Sequence, residues 1–214
     1  MNEVKVPFLD LKKHYFEYQE EFEKSILDSF RSGRFIGGND VIQFEAEFAN
    51  FSNSKFCIGV SNGLDALFLS LLSLGIGDGD EVLVPSNTFI ATWLAVSLCG
   101  AKPVPVEPDI KTHNINSQNI EELISHKTKA IVPVHLYGEP ADLDRINHIA
   151  KKYDLHVIED AAQAHGSKYK NKPIGAHSEL VTWSFYPGKN LGAFGDGGAV
   201  TTNNEYLYEQ ICLL

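Results

Sequence analysis

Apolar positions recur along this chain in two rhythms. Leu11, Tyr15, Tyr18, Phe22, Ile26 and Phe30 follow one another at steps of three and four. That is the spacing of one helix face, and it predicts a helix over about 13–31 whose stripe serves packing. The loop SGRFIGG comes next, and Arg34 within it and Arg31 just before it are candidate anion contacts. Asn39 or Asp40 can then cap a second short helix that has Val41, Phe44, Phe48 and Phe51 on its apolar face.

From residue 56 short apolar runs alternate with helical stretches. FCIGV precedes a helix through LFLSLLSL, EVLVP one through ATWLAVSLC, and KPVPV one around IEELIS. AIVPV precedes a helix over about 140–153 opened by Pro140 and Asp142, and LHVIED, VTWSF and AVTT complete the strands. Alternation of this kind requires crossover connections. It predicts an α/β fold, a mostly parallel central sheet with helices on both faces. No repeat, low-complexity tract or polar linker divides the chain, which reads as one structural domain: a helical segment over 1–55, then the sheet over 56–214. Ligands of open sheets bind outside the carboxyl ends of the strands, so the chemistry is sought there.

Composition narrows the function classes. A formal charge of −10 over 214 residues argues against broad nucleic-acid binding. No apolar run approaches a membrane span, and MNEVKVPFLDLKKHY lacks the apolar core of a signal peptide, so the expected compartment is the cytoplasm. Cys57, Cys99 and Cys212 are odd in number and set in apolar stretches, which predicts reduced core thiols. The histidines show no ligand-like spacing with them, and no structural zinc is expected.

Four predicted strand ends carry candidate chemistry. After FCIGV, the amides of Gly63, Leu64 and Asp65 open a helix, where free N–H groups and the helix dipole favour a phosphate. Ser61 and Asn62 either donate there or cap the helix, and a plain strand-to-helix turn has the same composition. After EVLVP, Phe89 either stacks on a flat ring or packs in the core. At the end of LHVIED stand Glu159 and Asp160, two acids that are costly there unless one has a cationic partner. A pyridinium nitrogen is such a partner, since a neighbouring carboxylate keeps it protonated. Gln163 and His165 follow closely enough to hydrogen-bond a cofactor's ring oxygen or a substrate. After VTWSF, Lys189 lies in a loop with glycine at 188, 192, 195, 197 and 198. An amine there suits Schiff-base chemistry with pyridoxal phosphate, and the hydroxyl of Ser184 can reach the same phosphate as Gly63.

SNGLDAL, PSNTFIATWLAV, PVEPD, PVHLYGEPADLD, VIEDAAQAHG and SFYPGKNLGAFGDGGAVTTN together resemble the sugar aminotransferases of the DegT/DnrJ/EryC1/StrS family. The branch acting on thymidine-diphosphate 3-keto-6-deoxyhexoses is the most similar, and the resemblance runs from Pro7 to the end. It implies a pyridoxal-phosphate enzyme of fold type I, a homodimer, with residues 56–214 as the cofactor-binding large domain. Lys189 then holds the cofactor covalently, Asp160 faces the pyridine nitrogen and Gln163 the ring hydroxyl. Phe89 stacks on the ring, while Gly63, Leu64 and Ser184 hold the phosphate. Tyr186 and His165 are candidates for the sugar or its pyrophosphate. Glutamate is the implied amino donor, and Lys189 the general base and acid. Related sugar dehydratases carry histidine at the lysine position, so Lys189 favours amino transfer over dehydration. The resemblance also implies a place in deoxysugar biosynthesis, lipopolysaccharide O-antigen included. Family members continue for over a hundred residues into a smaller C-terminal domain, whereas this sequence stops at ICLL. The expectation is a truncated chain that either retains activity or survives as a non-catalytic partner of a full-length copy.

Overall fold

A computed structural model describes residues 6–175 and 177–214. The five opening residues, part of the stretch read above for a leader, lie outside them. The chain divides into two compact units, one ending at Phe44 and the other running from Glu45 to Leu214.

The first unit is helical. α1 (Leu11–Glu17) is capped by Asp10, whose Oδ1 accepts from the amide of Lys13 at 3.1 Å. The expected single helix breaks at Tyr18, where φ is −123° and ψ is 26°, and α2 (Gln19–Ser32) begins at the next residue. Tyr15 spans the break, donating its hydroxyl to Glu23 Oε1 at 2.6 Å. Neither helix buries a residue. The stripe read as serving packing makes aromatic contacts along its own length, His14 with Tyr18 and Phe22, and Phe30 also meets Phe35 just beyond α2. Arg31 forms a surface pair with Asp28. α3 (Asn39–Phe51) crosses the boundary between the units, and Asn39 and Asp40, expected as caps, both lie inside its first turn.

In the second unit the alternation read from the sequence is realised. β1 (Phe56–Val60) leads to α4 (Gly63–Ser73), β2 (Glu81–Pro85) to α5 (Ile90–Leu98), and β3 (Lys102–Val106) to the short α6 (Ile120–Leu123). β4 (Thr128–Ile131) leads to α7 (Leu143–Tyr153), then β5 (His156–Asp160), a small hairpin of β6 (Lys168–Tyr169) and β7 (Lys172–Pro173), β8 (Leu180–Ser184), β9 (Gly198–Thr202) and α8 (Glu205–Leu213). The central sheet has the order β1-β9-β8-β5-β4-β2-β3. From β8 to β3 every neighbouring pair is parallel, while β9 runs antiparallel to both β8 and β1. Pro103 and Pro105 are tolerated in β3 because it is the edge strand.

Three differences from the pattern-based reading have local causes. β9 runs antiparallel to β8, because the glycine-rich loop read between them carries no crossover helix. The β6–β7 hairpin turns on Lys170 and Asn171 at φ 48° and 67°, the twist that two-residue hairpin loops need. β4 ends at Ile131, short of the expected Val134, because Pro133 has no N–H to give. Val134 rejoins the sheet through a single bridge to Asp160.

Alternating strand residues build two cores. On one face Val82, Val84, Ile158, Leu180 and Val200 pack against α4, α5 and α8. On the other, Leu83, Ile131 and Val157 pack against α6 and α7. Cys57 is buried and its thiol is pushed up to about 12 by that burial, and the half-buried Cys99 to about 11. Cys212 departs from the expectation of a core thiol: it lies on the exposed side of α8, one residue after buried Ile211.

β9 fits between β1 and β8 only because Gly198 is bare. It pairs with Val60 on one side and Ser184 on the other, and a Cβ there would stand 2.3 Å from the carbonyl oxygen of Asn62. Gly198→Ala is therefore expected to destabilise the chain by about 1–3 kcal/mol, the usual cost of overpacking. Urea unfolding of the two proteins measures it, and an unchanged midpoint would show that the Asn62 turn yields freely.

Candidate active site

Because β1, β2, β5 and β8 are mutually parallel in direction, their carboxyl ends meet on one edge of the sheet. A cavity of about 380 Å³ opens there, within the range of about 300–1,000 Å³ usual for small-molecule sites. Gly63 and Leu64 line it beyond β1, and Phe89 beyond β2. Asp160 and Gln163 line it at the end of β5, and Ser184, Tyr186 and Lys189 at the end of β8. Eight of the nine residues to which the resemblance gives a site role thus border one space. His165 is not among its lining residues.

At the end of β1, Asn62 caps α4 by accepting from the amide of Asp65 at 2.9 Å. Gly63 and Leu64 occupy the first helical turn, where amides have no intrahelical acceptor, so they remain available to an anion. Gly63 is fixed by close approach: a Cβ would stand 2.8 Å from Cβ of Ser184. Ser184 Oγ accepts from the amide of Tyr186 at 3.4 Å, which leaves its proton to donate elsewhere. The loop from Phe185 to Gly197 is closed at its base, with Phe185 bonded to both Ala193 and Gly197. Lys189 sits in its first turn, its amide donating to the carbonyl of Tyr186 at 2.8 Å.

Asp160 is buried. Burial, the largest influence, pushes its carboxyl above the usual range, opposed by an N–H bond from Ala162, a hydroxyl bond from Thr92 and the charge of Lys189. Thr92 Oγ1 donates to Asp160 Oδ2 at 2.9 Å, so Thr88, 2.9 Å from Thr92, must in turn donate to it. A cation seated in the cavity would relieve the cost of holding this carboxylate out of water. Thr88 and Thr92 were missed from the sequence. The only signal was a hydroxyl repeated at a four-residue step across the start of an otherwise apolar helix, TFIAT.

In the turn beside Gln163 every backbone N–H is engaged. The N–H of Tyr137 donates to Gln163 Oε1 at 2.6 Å, and that of Leu136 to Asn114 Oδ1 at 2.9 Å. His135 donates to the carbonyl of Asp160, Gly138 to that of His135, and Glu139 to that of Leu136. Ala141 donates to His135 Nδ1 at 3.1 Å. His135 therefore carries its proton on Nε2 and gives it to Glu159 Oε2 at 2.8 Å, while Glu159 Oε1 has no partner among the described residues. Tyr137 holds φ at 57°, a left-handed conformation that costs a non-glycine residue roughly 1–2 kcal/mol.

His165 lies among Phe48, Trp183 and Phe185, its ring centroid 5.4 Å from each of the latter two. Neither ring nitrogen makes a hydrogen bond of normal geometry. Burial, helped by the charge of Lys189 and opposed weakly by the Ser184 backbone, lowers it to about 4.

These residues fit pyridoxal phosphate. Free amides and a hydroxyl suit the phosphate, a buried carboxylate the ring nitrogen, an amide the ring oxygen and an amine the aldehyde. The mostly parallel sheet with this edge is the architecture of fold type I pyridoxal-phosphate aminotransferases. The chain belongs to the DegT/DnrJ/EryC1/StrS aminotransferase family, whose model matches residues 17–214, and that family depends on pyridoxal phosphate. It is 54% identical over 209 residues to the dTDP-3-amino-3,6-dideoxy-alpha-D-galactopyranose transaminase of Aneurinibacillus thermoaerophilus, covering 98% of this chain and 58% of that one. It superposes on DesV from Streptomyces venezuelae with a TM-score of 0.97 at 50% identity, covering 99% of this chain and 57% of that one. With NtdA from Bacillus subtilis, solved with its cofactor PMP bound, the TM-score is 0.91 at 37% identity, over 98% and 48% of the two chains. The chain thus spans about half the length of the relatives it matches.

The unfolded chain protonates His165 below its ordinary value of 6.5, the folded chain only near about 4. Stability on this account is constant above the first value and lost as pH falls towards the second. Urea midpoints of the native protein and His165→Phe, compared at pH 7 and pH 5, are expected to move in the variant's favour at pH 5. An identical difference at both would dispose of this account.

Proposed function

We propose that this chain carries the cofactor half of an aminotransferase that moves an amino group from glutamate to a thymidine-diphosphate-linked 3-keto-6-deoxyhexose. The observation that carries the reading is the convergence of Lys189, Asp160, Gln163 and the Gly63–Leu64 amides on one cavity. Pyridoxal phosphate, when bound, supplies an aldehyde and an electron sink. Lys189 Nζ is the amine to anchor it and then to move a proton to and from the reacting carbon. Asp160, hydrogen-bonded by Thr92 and the amide of Ala162, is the partner for the ring nitrogen. Phe89 supplies the stacking face, and Tyr186 the nearest phenol for a sugar or its pyrophosphate. The sugar assignment rests on the naming of the Aneurinibacillus transaminase and on the sequence motifs.

Two further parts of the proposal concern assembly and location. Phe89, Ile90, Leu94 and Leu98 leave an apolar face exposed along α5, starting at the cavity. A homodimer in which this face is covered agrees with it. The cytoplasm, where nucleotide sugars are made, is proposed as the site of action, in a route such as O-antigen deoxysugar synthesis. No helix among the described residues is long and apolar enough to cross a membrane. A second reading follows from the chain covering about half the length of its relatives: on its own it is a non-catalytic binding partner of a full-length copy.

The purified chain mixed with pyridoxal phosphate is expected to develop a visible band that borohydride fixes to the protein. Lys189→Ala should abolish the fixed adduct, and Asp160→Asn should weaken cofactor retention by roughly tenfold, about 1.4 kcal/mol. A wild-type chain that takes up no cofactor would refute the proposal. Turnover of glutamate and a 3-keto sugar nucleotide by this chain alone would exclude the second reading.

A further inference from the structure

A glutamine can present either end of its amide to a ligand, and the two ends have opposite chemistry. Gln163 lines the cavity, and its choice of end is not left to the ligand. The N–H of Tyr137 faces it at 2.6 Å, and an N–H can be met only by oxygen. That N–H is aimed by a turn whose own donors are all engaged, from His135 through Ala141, Pro140 having none. The turn is gripped from outside by Asn114, a buried side chain that accepts from Leu136 at 2.9 Å and donates to the carbonyl of Glu139 at 2.8 Å. Ser167 holds the carbonyl of Gly138 at 2.7 Å from the other side.

We infer that Asn114 is a positioning residue: by clamping the Leu136–Glu139 turn it holds Tyr137 in its left-handed conformation and so keeps the Nε2 end of Gln163 turned to the cavity as a hydrogen-bond donor. The inference rests on the cofactor reading above and names what sets the polarity of one contact within it. A donor at the ring oxygen of pyridoxal phosphate draws electron density from that oxygen. The oxygen then holds the neighbouring nitrogen's proton less tightly, and the visible band titrates at lower pH. With the clamp released, Gln163 is free to turn its oxygen inward, and the titration midpoint rises.

The experiment is a pH titration of the visible band of the cofactor-loaded chain. Gln163→Leu is expected to raise the midpoint by roughly one pH unit, the effect of losing one charge-assisted hydrogen bond. Asn114→Ala is expected to raise it in the same direction by about half a unit. The double variant should titrate no higher than Gln163→Leu alone, because Asn114 acts through Gln163. Should Asn114→Ala fail to fold, Asn114→Asp carries the same test, since it keeps an acceptor for Leu136 and loses the donor to Glu139. Tyr137→Gly keeps the N–H and relieves its strain, and is expected to leave the midpoint unmoved. A wild-type band with an unmoved Asn114 variant, or shifts that simply add in the double variant, overturns the positioning role. No band in the wild type overturns the cofactor reading itself, and this inference with it.

Discussion

A carboxylate held out of water at the end of a central strand is the constraint around which the rest of this structure is arranged. Taking Asp160 out of solvent disfavours its charge, and β5 leaves it no way to turn outward, with strands β4 and β8 on either side. What offsets this is local and polar: the hydroxyl chain from Thr88 through Thr92, the amide of Ala162 and, at longer range, Lys189. Each comes from a different strand end. The site therefore exists only because the parallel sheet brings those ends to one edge. An isolated copy of any one segment would have neither the burial that raises the carboxyl nor the donors that oppose it.

Much of this was legible in the amino-acid sequence. The strands through FCIGV, EVLVP, KPVPV and LHVIED, and the crossover helices between them, follow from apolar runs separated by turn chemistry, which depends on near neighbours. The convergence of Gly63, Phe89, Asp160, Gln163, Ser184 and Lys189 follows from one rule about strand ends. What escaped depends on partners remote in the chain. The direction of β9 is set by the closed loop after Phe185, and nothing in AVTT distinguishes a parallel from an antiparallel strand. The helix break at Tyr18 lies inside an unbroken apolar period. Thr92 reads as a helix residue until Asp160, 68 positions away, is placed beside it.

Glycines of the lysine loop serve close approach rather than unusual backbone angles. Among the described residues, Gly192, Gly195, Gly197 and Gly198 all lie outside the positive-φ region. Gly192 and Gly198 are bare because another backbone oxygen passes within reach of any side chain, that of Pro187 for the first and of Asn62 for the second. The end of the lysine loop is thus packed tightly on the turn at Asn62. A composition rich in glycine does not reveal which of these two roles it serves.

Among the described residues, two side chains keep buried polar atoms without a partner, Glu159 at Oε1 and His165 at both ring nitrogens. Both flank the strand pair β5–β8 that carries Asp160 to the cavity and leads on to Lys189. Buried groups without partners cost free energy, and folded proteins keep few of them. Their position argues against accident. Glu159 is committed to His135, and His135 to the turn that meets Gln163, so replacing either with an apolar residue would free the turn. His165 fills an aromatic pocket among Phe48, Trp183 and Phe185, where burial first and the charge of Lys189 second disfavour its protonated form. The unsatisfied groups thus stand behind cavity-lining residues, Leu136 through His135 and its turn for Glu159 and Trp183 for His165, which is where a fold is expected to trade stability for a fixed site.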